Sequence, residues 1–323
     1  MMIMISRRIF WWVGGSAALV VAALLAWMLT PRTLHVGVAI PKATHGWAGG
    51  VVYWAERTKK EMQTRYPRVR ITLRTAETAQ EQIAQINDLY TREKIDTLVI
   101  LPVESVALTP PVARLKESGL HVTVFDRGLT DPIAQSAYVA GDNPGFGRLA
   151  GAYMIKALDG RGSIVVLRGI PTVIDTQRFG EFKTTIAGSQ IEILAAEHAD
   201  WNPVKAAEVM RDLLNRYPRI DAVWAADDDM AQAATRVIDS ARRTDIKVIL
   251  GGGGAKGQIA RIMDGDRRLS ATVTYGPSMI AKAIELTVQS RLSRTAMPAN
   301  TIIPSVLVQR DNASAYYFPE SPY

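Results

Sequence analysis

A chain of 323 residues with 48% hydrophobic content is long enough for two cores of ordinary domain size and too apolar to be disordered. The formal charge of +7 comes from Lys and Arg dispersed along the chain, with no basic run interleaved with aromatics, so it reads as solvated surface and excludes nucleic acid as the expected partner. Cysteine is absent, which removes disulfides, thiolate metal sites, a cysteine nucleophile and a lipid anchor on an amino-terminal cysteine.

Ser6-Arg7-Arg8-Ile9-Phe10-Trp11-Trp12 leads into an apolar stretch that reaches Leu29 and is closed by Pro31-Arg32, the layout of an export segment. Its apolar run, about twenty residues, exceeds a signal-peptide core and is long enough to cross a bilayer. A cut after Ala26 would leave Leu24 where a small residue is preferred. Residues 1–31 are therefore expected to be either a signal peptide or an uncleaved inner-membrane anchor. The paired arginines suit a twin-arginine signal or an ordinary basic flank. Either way the remainder is expected in the periplasm.

Beyond this segment, β-rich apolar runs at 34–40, 69–73, 97–101, 120–125, 163–167, 191–195, 222–225, 247–250 and 270–274 alternate with amphipathic stretches. That alternation predicts an α/β fold of parallel sheets built from βαβ units. Helical spacing is clearest at 79–92 and 203–216, the latter opened by Asn202 as N-cap and Pro203 in the first turn. Nine strands are many for one sheet. The segment 138–145 reads as a crossover to a second sheet, Tyr275-Gly276-Pro277 as a return, and 300–310 as a third crossing.

Several motifs fall short of the chemistry they first suggest. Gly251-Gly252-Gly253-Gly254-Ala255-Lys256-Gly257 fails the phosphate-loop pattern, because Lys256 follows Ala and Gly257 stands where Ser or Thr is required. Gly145-Phe146-Gly147 lacks dinucleotide spacing and instead predicts a close-packed helix start. Asp227-Asp228-Asp229 could hold a hard cation, but their place between a strand and a helix is explained by N-capping. The four histidines are scattered, and no nucleophile elbow or zinc motif occurs. Neither a metal nor a cofactor is expected, and no catalytic machinery is visible.

What remains is a set of polar and aromatic residues just after successive strands: Lys42, His45 and Trp47; Asp126 and Arg127; Arg178; Trp201; Asp227; Tyr275. Open α/β sheets bind ligands at the carboxyl ends of their strands. Carboxylates and guanidinium groups suit hydroxyls, and indole faces suit the apolar side of a sugar ring, so together these residues predict a carbohydrate cleft.

The chain resembles the periplasmic sugar-binding proteins of the ribose-binding type, the receptors of ABC importers. The resemblance rests on Ile95-Asp-Thr-Leu-Val-Ile-Leu-Pro102, Val122-Thr-Val-Phe-Asp-Arg127, Gly141-Asp-Asn with Gly-Arg-Leu-Ala-Gly151, Arg178 with Phe182, Ala199-Asp-Trp201, Ala225-Ala-Asp-Asp-Asp-Met230 and Ser270-Ala-Thr-Val-Thr274, and the closing 316–323 is also similar to tails of this group. It implies a two-lobed type I periplasmic-binding-protein fold, each lobe a doubly wound parallel sheet and the two joined by a hinge. Residues 34–140 with 276–304 would form the amino-terminal lobe, and 141–275 with 305–323 the carboxyl-terminal one. Asp126 and Arg127 would bind ring hydroxyls from the first lobe, Arg178 and Asp227 from the second, with Trp201 stacking on the ring and Trp47 supplying an aromatic from the first loop. Two departures stand out: Gly253 occupies a position where the family usually has Asp, and Leu101 and Tyr275 replace a common Asn and Gln. They point away from ribose itself and permit a deoxy sugar or small cyclic polyol. The implied function is a monomeric, non-catalytic receptor that closes on one small sugar and delivers it to an ABC permease. A membrane-tethered subunit reporting to a histidine kinase or chemoreceptor is the alternative. Lac-repressor-type regulators share the fold but carry a helix-turn-helix where this chain has its hydrophobic segment. An enzyme would need a carboxylate pair flanking a scissile bond, for which Asp126 and Asp227 are the candidates.

Overall fold

The computed structural model describes residues 32–43 and 46–323. The segment expected to be a signal peptide or anchor, and His45, lie outside the described residues.

Two six-stranded sheets organise these residues. The first contains β1 (Leu34–Pro41), β2 (Val69–Ala76), β3 (Thr97–Ile100), β4 (His121–Phe125), β5 (Ala137–Gly141) and β11 (Asn300–Ile303), in the order β11-β5-β4-β3-β1-β2. The second contains β6 (Arg161–Arg168), β7 (Gln190–His198), β8 (Ala222–Ala225), β9 (Val248–Gly253), β10 (Thr272–Thr274) and β12 (Leu307–Val308), in the order β12-β10-β9-β8-β6-β7. All pairings are parallel except β10 with β12, which is antiparallel and forms a short edge.

Parallel neighbours require crossovers, and helices supply them. In the first sheet these are α1 (Gly46–Arg65), α2 (Ala79–Thr91), α3 (Ser105–Glu117) and, late in the chain, α9 (Met279–Ser293). The second has α4 (Asn143–Ala157), α5 (Val173–Ile186), α6 (Pro203–Arg216), α7 (Asp228–Ser240) and α8 (Lys256–Met263). Alternation along β1 sorts its side chains by face: Val36, Val38 and Ile40 pack with α1 and α9, while Ala39 joins the cluster under α2 and α3. The second sheet repeats this plan, with Ile164 and Val166 facing α4 and α5, and Val165 and Leu167 facing α6 and α7. One apolar cluster runs from the first sheet into the second through Phe125, Val139, Tyr275 and Phe146.

Two segments differ from the sequence expectation. Residues expected as a plain crossover at 138–145 begin with a strand, β5, paired to both β4 and β11, and the chain leaves the sheet only at Asp142, which caps α4 through the Gly145 amide at 2.7 Å. The glycine run does not form a loop from its start: Gly251, Gly252 and Gly253 belong to β9. A Cβ on Gly252 would stand 2.1 Å from Phe146 Cζ and one on Gly251 2.2 Å from Asp228 Oδ1, so packing and not anion binding requires these glycines. Gly147 fits its expectation of close helix packing, since a Cβ there would meet the Arg178 carbonyl oxygen at 2.1 Å across the α4–α5 contact.

Candidate functional site

The carboxyl ends of the two sheets face one another across a cavity of about 220 Å³. Strand order reverses on either side of β1 in the first sheet and of β6 in the second, and the crevice outside such a switch is where a parallel sheet leaves backbone and side chains free to meet a ligand. Lys42, Trp47, Asp126, Arg127, Arg178, Trp201, Asp227 and Tyr275 all line this one cavity. Of the residues expected from sequence, only His45 has no place here, because it lies outside the described residues.

Local backbone aims these groups. Asp126 follows β4 with φ +59°, and Asp200 and Trp201 follow β7 with φ +57° and +53°. Left-handed conformations cost non-glycine residues roughly 1 kcal/mol or more each, so these three after strand ends, with Asp126 and Trp201 lining the cavity, mark strain kept in place by its surroundings. Trp201 turns back until its indole lies on Gly169, where a Cβ would come within 2.1 Å of Trp201 Cε2. Trp47, in the first turn of α1, donates its Nε1–H to the Tyr275 carbonyl at 2.8 Å and stacks on Phe125 with ring centroids 6.4 Å apart. Lys42 sits at the rim in an exposed pair with Glu77 at 3.4 Å, an interaction that water screens almost fully.

Arg178 is the best-anchored polar group of the site. Its guanidinium donates from Nε to Asn143 Oδ1 at 2.9 Å and from Nη1 to the Ala226 carbonyl at 3.2 Å, and lies over the rings of Phe146 and Tyr275 at 4.3 and 4.2 Å. Across the cavity Asp126 accepts the Tyr275 hydroxyl at 2.6 Å, and the Asp126 carbonyl accepts the Tyr138 hydroxyl at 2.6 Å. Arg127 donates from Nη1 to the Val103 carbonyl. Its Nε, and Nε1 of Trp201, are buried with no hydrogen-bond partner among the described residues. Each such donor costs about 1–3 kcal/mol while it stays unpaired and returns that amount when an acceptor arrives.

Burial pushes the Asp126 carboxyl up, opposed by the Tyr275 hydrogen bond and by the Arg127 and Arg178 charges. It pushes Asp227 further, up to about 7, against the pull of the Met230 amide, with Asp229 adding to the rise and Arg178 opposing it. Asp227 Oδ1 caps α7 by accepting that amide at 2.7 Å. Asp228 is structural, accepting Thr272 Oγ1 and the amides of Gly254 and Ala255 at 2.8–2.9 Å. Asp227 thus caps a helix and Asp228 ties β10 and the residue after β9 to it, and no cluster fit for a metal ion occurs among the described residues.

A pH dependence follows from Asp227. Its folded pKa stands above the unfolded value of about 3.9, so the folded chain holds a proton the unfolded chain has lost, and stability falls as pH rises from about 4 to about 7. Asp227→Asn keeps the capping oxygen and cannot titrate. Urea unfolding at several pH values is expected to give a shallower decline for this variant than for wild type; equal slopes would remove Asp227 from the linkage.

Among the residues facing the site or holding it that were missed from sequence, three bear on its shape and polarity. Asn143 is buried at the first turn of α4, holds Arg178 and lies 3.5 Å from the Tyr275 hydroxyl; its place after Gly141-Asp142 at a strand end was the available signal. Ile174 and Tyr323 line the cavity without any local pattern to announce them.

A family model described as a periplasmic binding protein domain matches residues 36–290. The chain belongs to that family. This periplasmic binding protein is 33% identical over 202 residues to the ribose import binding protein of Bacillus subtilis, a stretch that covers 62% of this chain and 64% of the relative, a little under two thirds of the relative's length. It is similar to a solved ABC transporter solute binding protein from Mycobacterium smegmatis with bound glycerol, at 27% identity and a TM-score of 0.78 over 90% of this chain and 98% of that one. It is also similar to the fructose binding periplasmic domain of a hybrid two component system, at 26% identity and a TM-score of 0.75 over 87% and 92%. Each of these relatives is named as a binding protein or binding domain, and the glycoside-cleaving alternative drawn from Asp126 and Asp227 is set aside.

Proposed function

We propose that this periplasmic binding protein is an exported receptor that closes on one small polyhydroxylated ring and presents it to the permease of an ABC importer. The observation that carries the reading is the convergence, in one small cavity between two sheets, of a rigidly held arginine, a buried and a half-buried carboxyl (Asp126 and Asp227) and two buried N–H donors without partners among the described residues. Acceptors and donors of that density suit vicinal hydroxyls, while Trp47, Trp201 and Tyr275 supply apolar faces for ring C–H groups. In this reading the lobes comprise residues 34–140 with 276–304 and residues 141–275 with 305–323, and they close by bending at the three crossings. Closure must bind the ligand better than the open form does, and bringing Arg178 and Asp227 onto a ring already held by Asp126 and Arg127 meets that need. One relative is a ribose import binding protein, another holds bound glycerol, and a third is a fructose binding domain. Leu101 and Gly253 offer no hydrogen bond from their side chains, which favours a ring with fewer hydroxyls than ribose presents.

A second reading, a tethered sensing subunit, is favoured by the likeness to the two-component binding domain and by the long apolar segment before Pro31. Mass spectrometry of the mature amino terminus separates them: a chain starting before Phe10 supports tethering, and one starting between Trp27 and Leu34 supports a free receptor.

The binding claim itself is tested by a thermal-shift screen of residues 32–323 against pentoses, hexoses, deoxy sugars, cyclic polyols and small acids. A cognate ring at a hundred times its dissociation constant is expected to stabilise the protein by about 2.7 kcal/mol, a shift of several degrees. Silence toward every carbohydrate, or a response to acids alone, would overturn the sugar reading.

A further inference from the structure

Residues 313–316 form a short 3-10 turn that packs on α8 with Ile259, Ile262 and Val308, on the second sheet's side. From there the chain crosses to the first lobe. Phe318 meets Trp54 of α1 edge-on with centroids 5.3 Å apart, Glu320 stands 3.9 Å from Arg57 of the same helix, and Lys256 Nζ of α8 donates to the Pro319 carbonyl at 3.2 Å. The strap ends with Tyr323 turned inward, 6% exposed and lining the cavity.

Glycines border Tyr323 on two sides, and at Gly253 it is the nearest neighbour. Gly46 and Gly50 lie one turn apart on the same face of α1: a Cβ on Gly46 would meet Asp229 Oδ2 at 2.7 Å and Tyr323 Cδ2 at 3.1 Å, and one on Gly50 would meet Pro277 Cγ at 2.5 Å and Tyr323 Cβ at 3.0 Å. On the other side, a Cβ on Gly253 at the end of β9 would stand 2.0 Å from the Tyr323 hydroxyl oxygen. The phenol therefore occupies the space that a side chain at 253 would otherwise fill, and it reaches there from a distant part of the chain. Gly253 has φ +112°, so the backbone at that point is itself shaped for the absence of a side chain.

We infer that Tyr323 is a specificity-determining residue, a wall of the cleft carried in by the strap, and that it limits the size of the ring the cleft accepts. The inference rests on the receptor reading above. The cavity is small, below the roughly 300–1,000 Å³ of sites for larger ligands, and among the described residues Tyr323 is the one lining group that belongs to neither sheet, its crossover helices nor the loops that join them. Removing it enlarges the site without touching the residues that grip the ring.

The test uses the full chain and three variants, Tyr323→Ala, Tyr323→Phe and Gly253→Ala. Binding of D-xylose and D-glucose, which share ring configuration and differ by one hydroxymethyl group, is measured alongside the wider sugar and polyol panel. Tyr323→Ala is expected to shift relative affinity toward the larger member of such pairs by at least tenfold, or to admit larger rings that wild type ignores. Tyr323→Phe keeps the ring and is expected to keep the wild-type size limit, separating lost bulk from a lost hydroxyl. A ligand-independent check comes from urea unfolding of the single and double variants: Gly253→Ala is expected to lower the midpoint more when Tyr323 is present than when it is Ala. A wild type that binds sugars while Tyr323→Ala accepts the same set with the same preference overturns the inference and leaves the receptor reading standing. Additive midpoints overturn the contact on which it rests. Wild type and Tyr323→Ala both silent toward the whole panel, with the midpoints still coupled, would sink the receptor reading and the inference with it.

Discussion

Arg178→Ala is expected to weaken ligand binding by roughly a hundredfold, about 2.7 kcal/mol, and to lower the melting temperature by several degrees. Both effects come from one feature. The guanidinium is 5% exposed and its hydrogen bonds to Asn143 and the Ala226 carbonyl fix it before any ligand arrives, so a ligand acceptor meets a charged donor that has already lost its rotamer freedom. Truncation deletes that donor. It also leaves Asn143 Oδ1 without its partner in a buried setting and withdraws the cation from between Phe146 and Tyr275, each at a cost of about 1–3 kcal/mol or less. Lys at this position keeps the charge and loses the planar fork, so Arg178→Lys is expected to fall between the two. Isothermal calorimetry with the strongest ligand of the thermal screen measures the affinity, and differential scanning calorimetry the stability. An Arg178→Ala affinity within threefold of wild type would remove Arg178 from the site.

The second large effect is expected at Asp126. Ala there should cost binding roughly thirtyfold, about 2 kcal/mol, because it removes the carboxyl from the ring and strands the Tyr275 hydroxyl that now donates to it at 2.6 Å. It should also destabilise the unliganded protein, since Ala tolerates φ +59° less well than Asp does. Asp126→Asn separates these contributions: it retains an acceptor for Tyr275 and a residue type suited to the left-handed backbone, so its stability is expected to stay near wild type while its affinity falls. If Asn binds as tightly as Asp, the carboxylate charge has no part in recognition, and Asp126 acts only as an acceptor that orients Tyr275.

Much of this site was legible in the sequence because its groups follow strands that announce themselves. Val-Thr-Val-Phe before Asp126 and Ala-Val-Trp-Ala before Ala226-Asp227 are buried on both faces, and a β/α chain puts whatever comes next at the ligand-binding edge. Strand β5 was less legible because Tyr138-Val-Ala-Gly141 runs straight into Asp-Asn-Pro-Gly, turn residues that outweigh a short apolar run. The glycines of β9 read as a loop for a related reason: what holds them in a strand is pairing to β10 and the close approach of Phe146 and Asp228, none of it local. Tyr323 lay furthest from reach. Its neighbours come from α1 near the start of the described chain and from the end of β9, so no window of sequence holds both the ring and the glycines that admit it.

The path of the chain between the sheets bears on how the molecule is made. Helix α9 and strand β11 complete the first sheet's layer, with Thr287 of α9 hydrogen-bonded to Thr123 of β4 at 2.8 Å and all of β11 paired to residues 138–141 of β5. Both emerge from the ribosome after every residue from β6 through β10. A growing chain that has reached Thr274 therefore holds most of the second sheet, whose strands are nearly contiguous, while the apolar face of the first that carries Val36, Val38 and Ile40 has α1 over it and still lacks α9. That unfinished apolar face is what a chaperone or export machinery would meet during synthesis, and the half made first is the half that closes last.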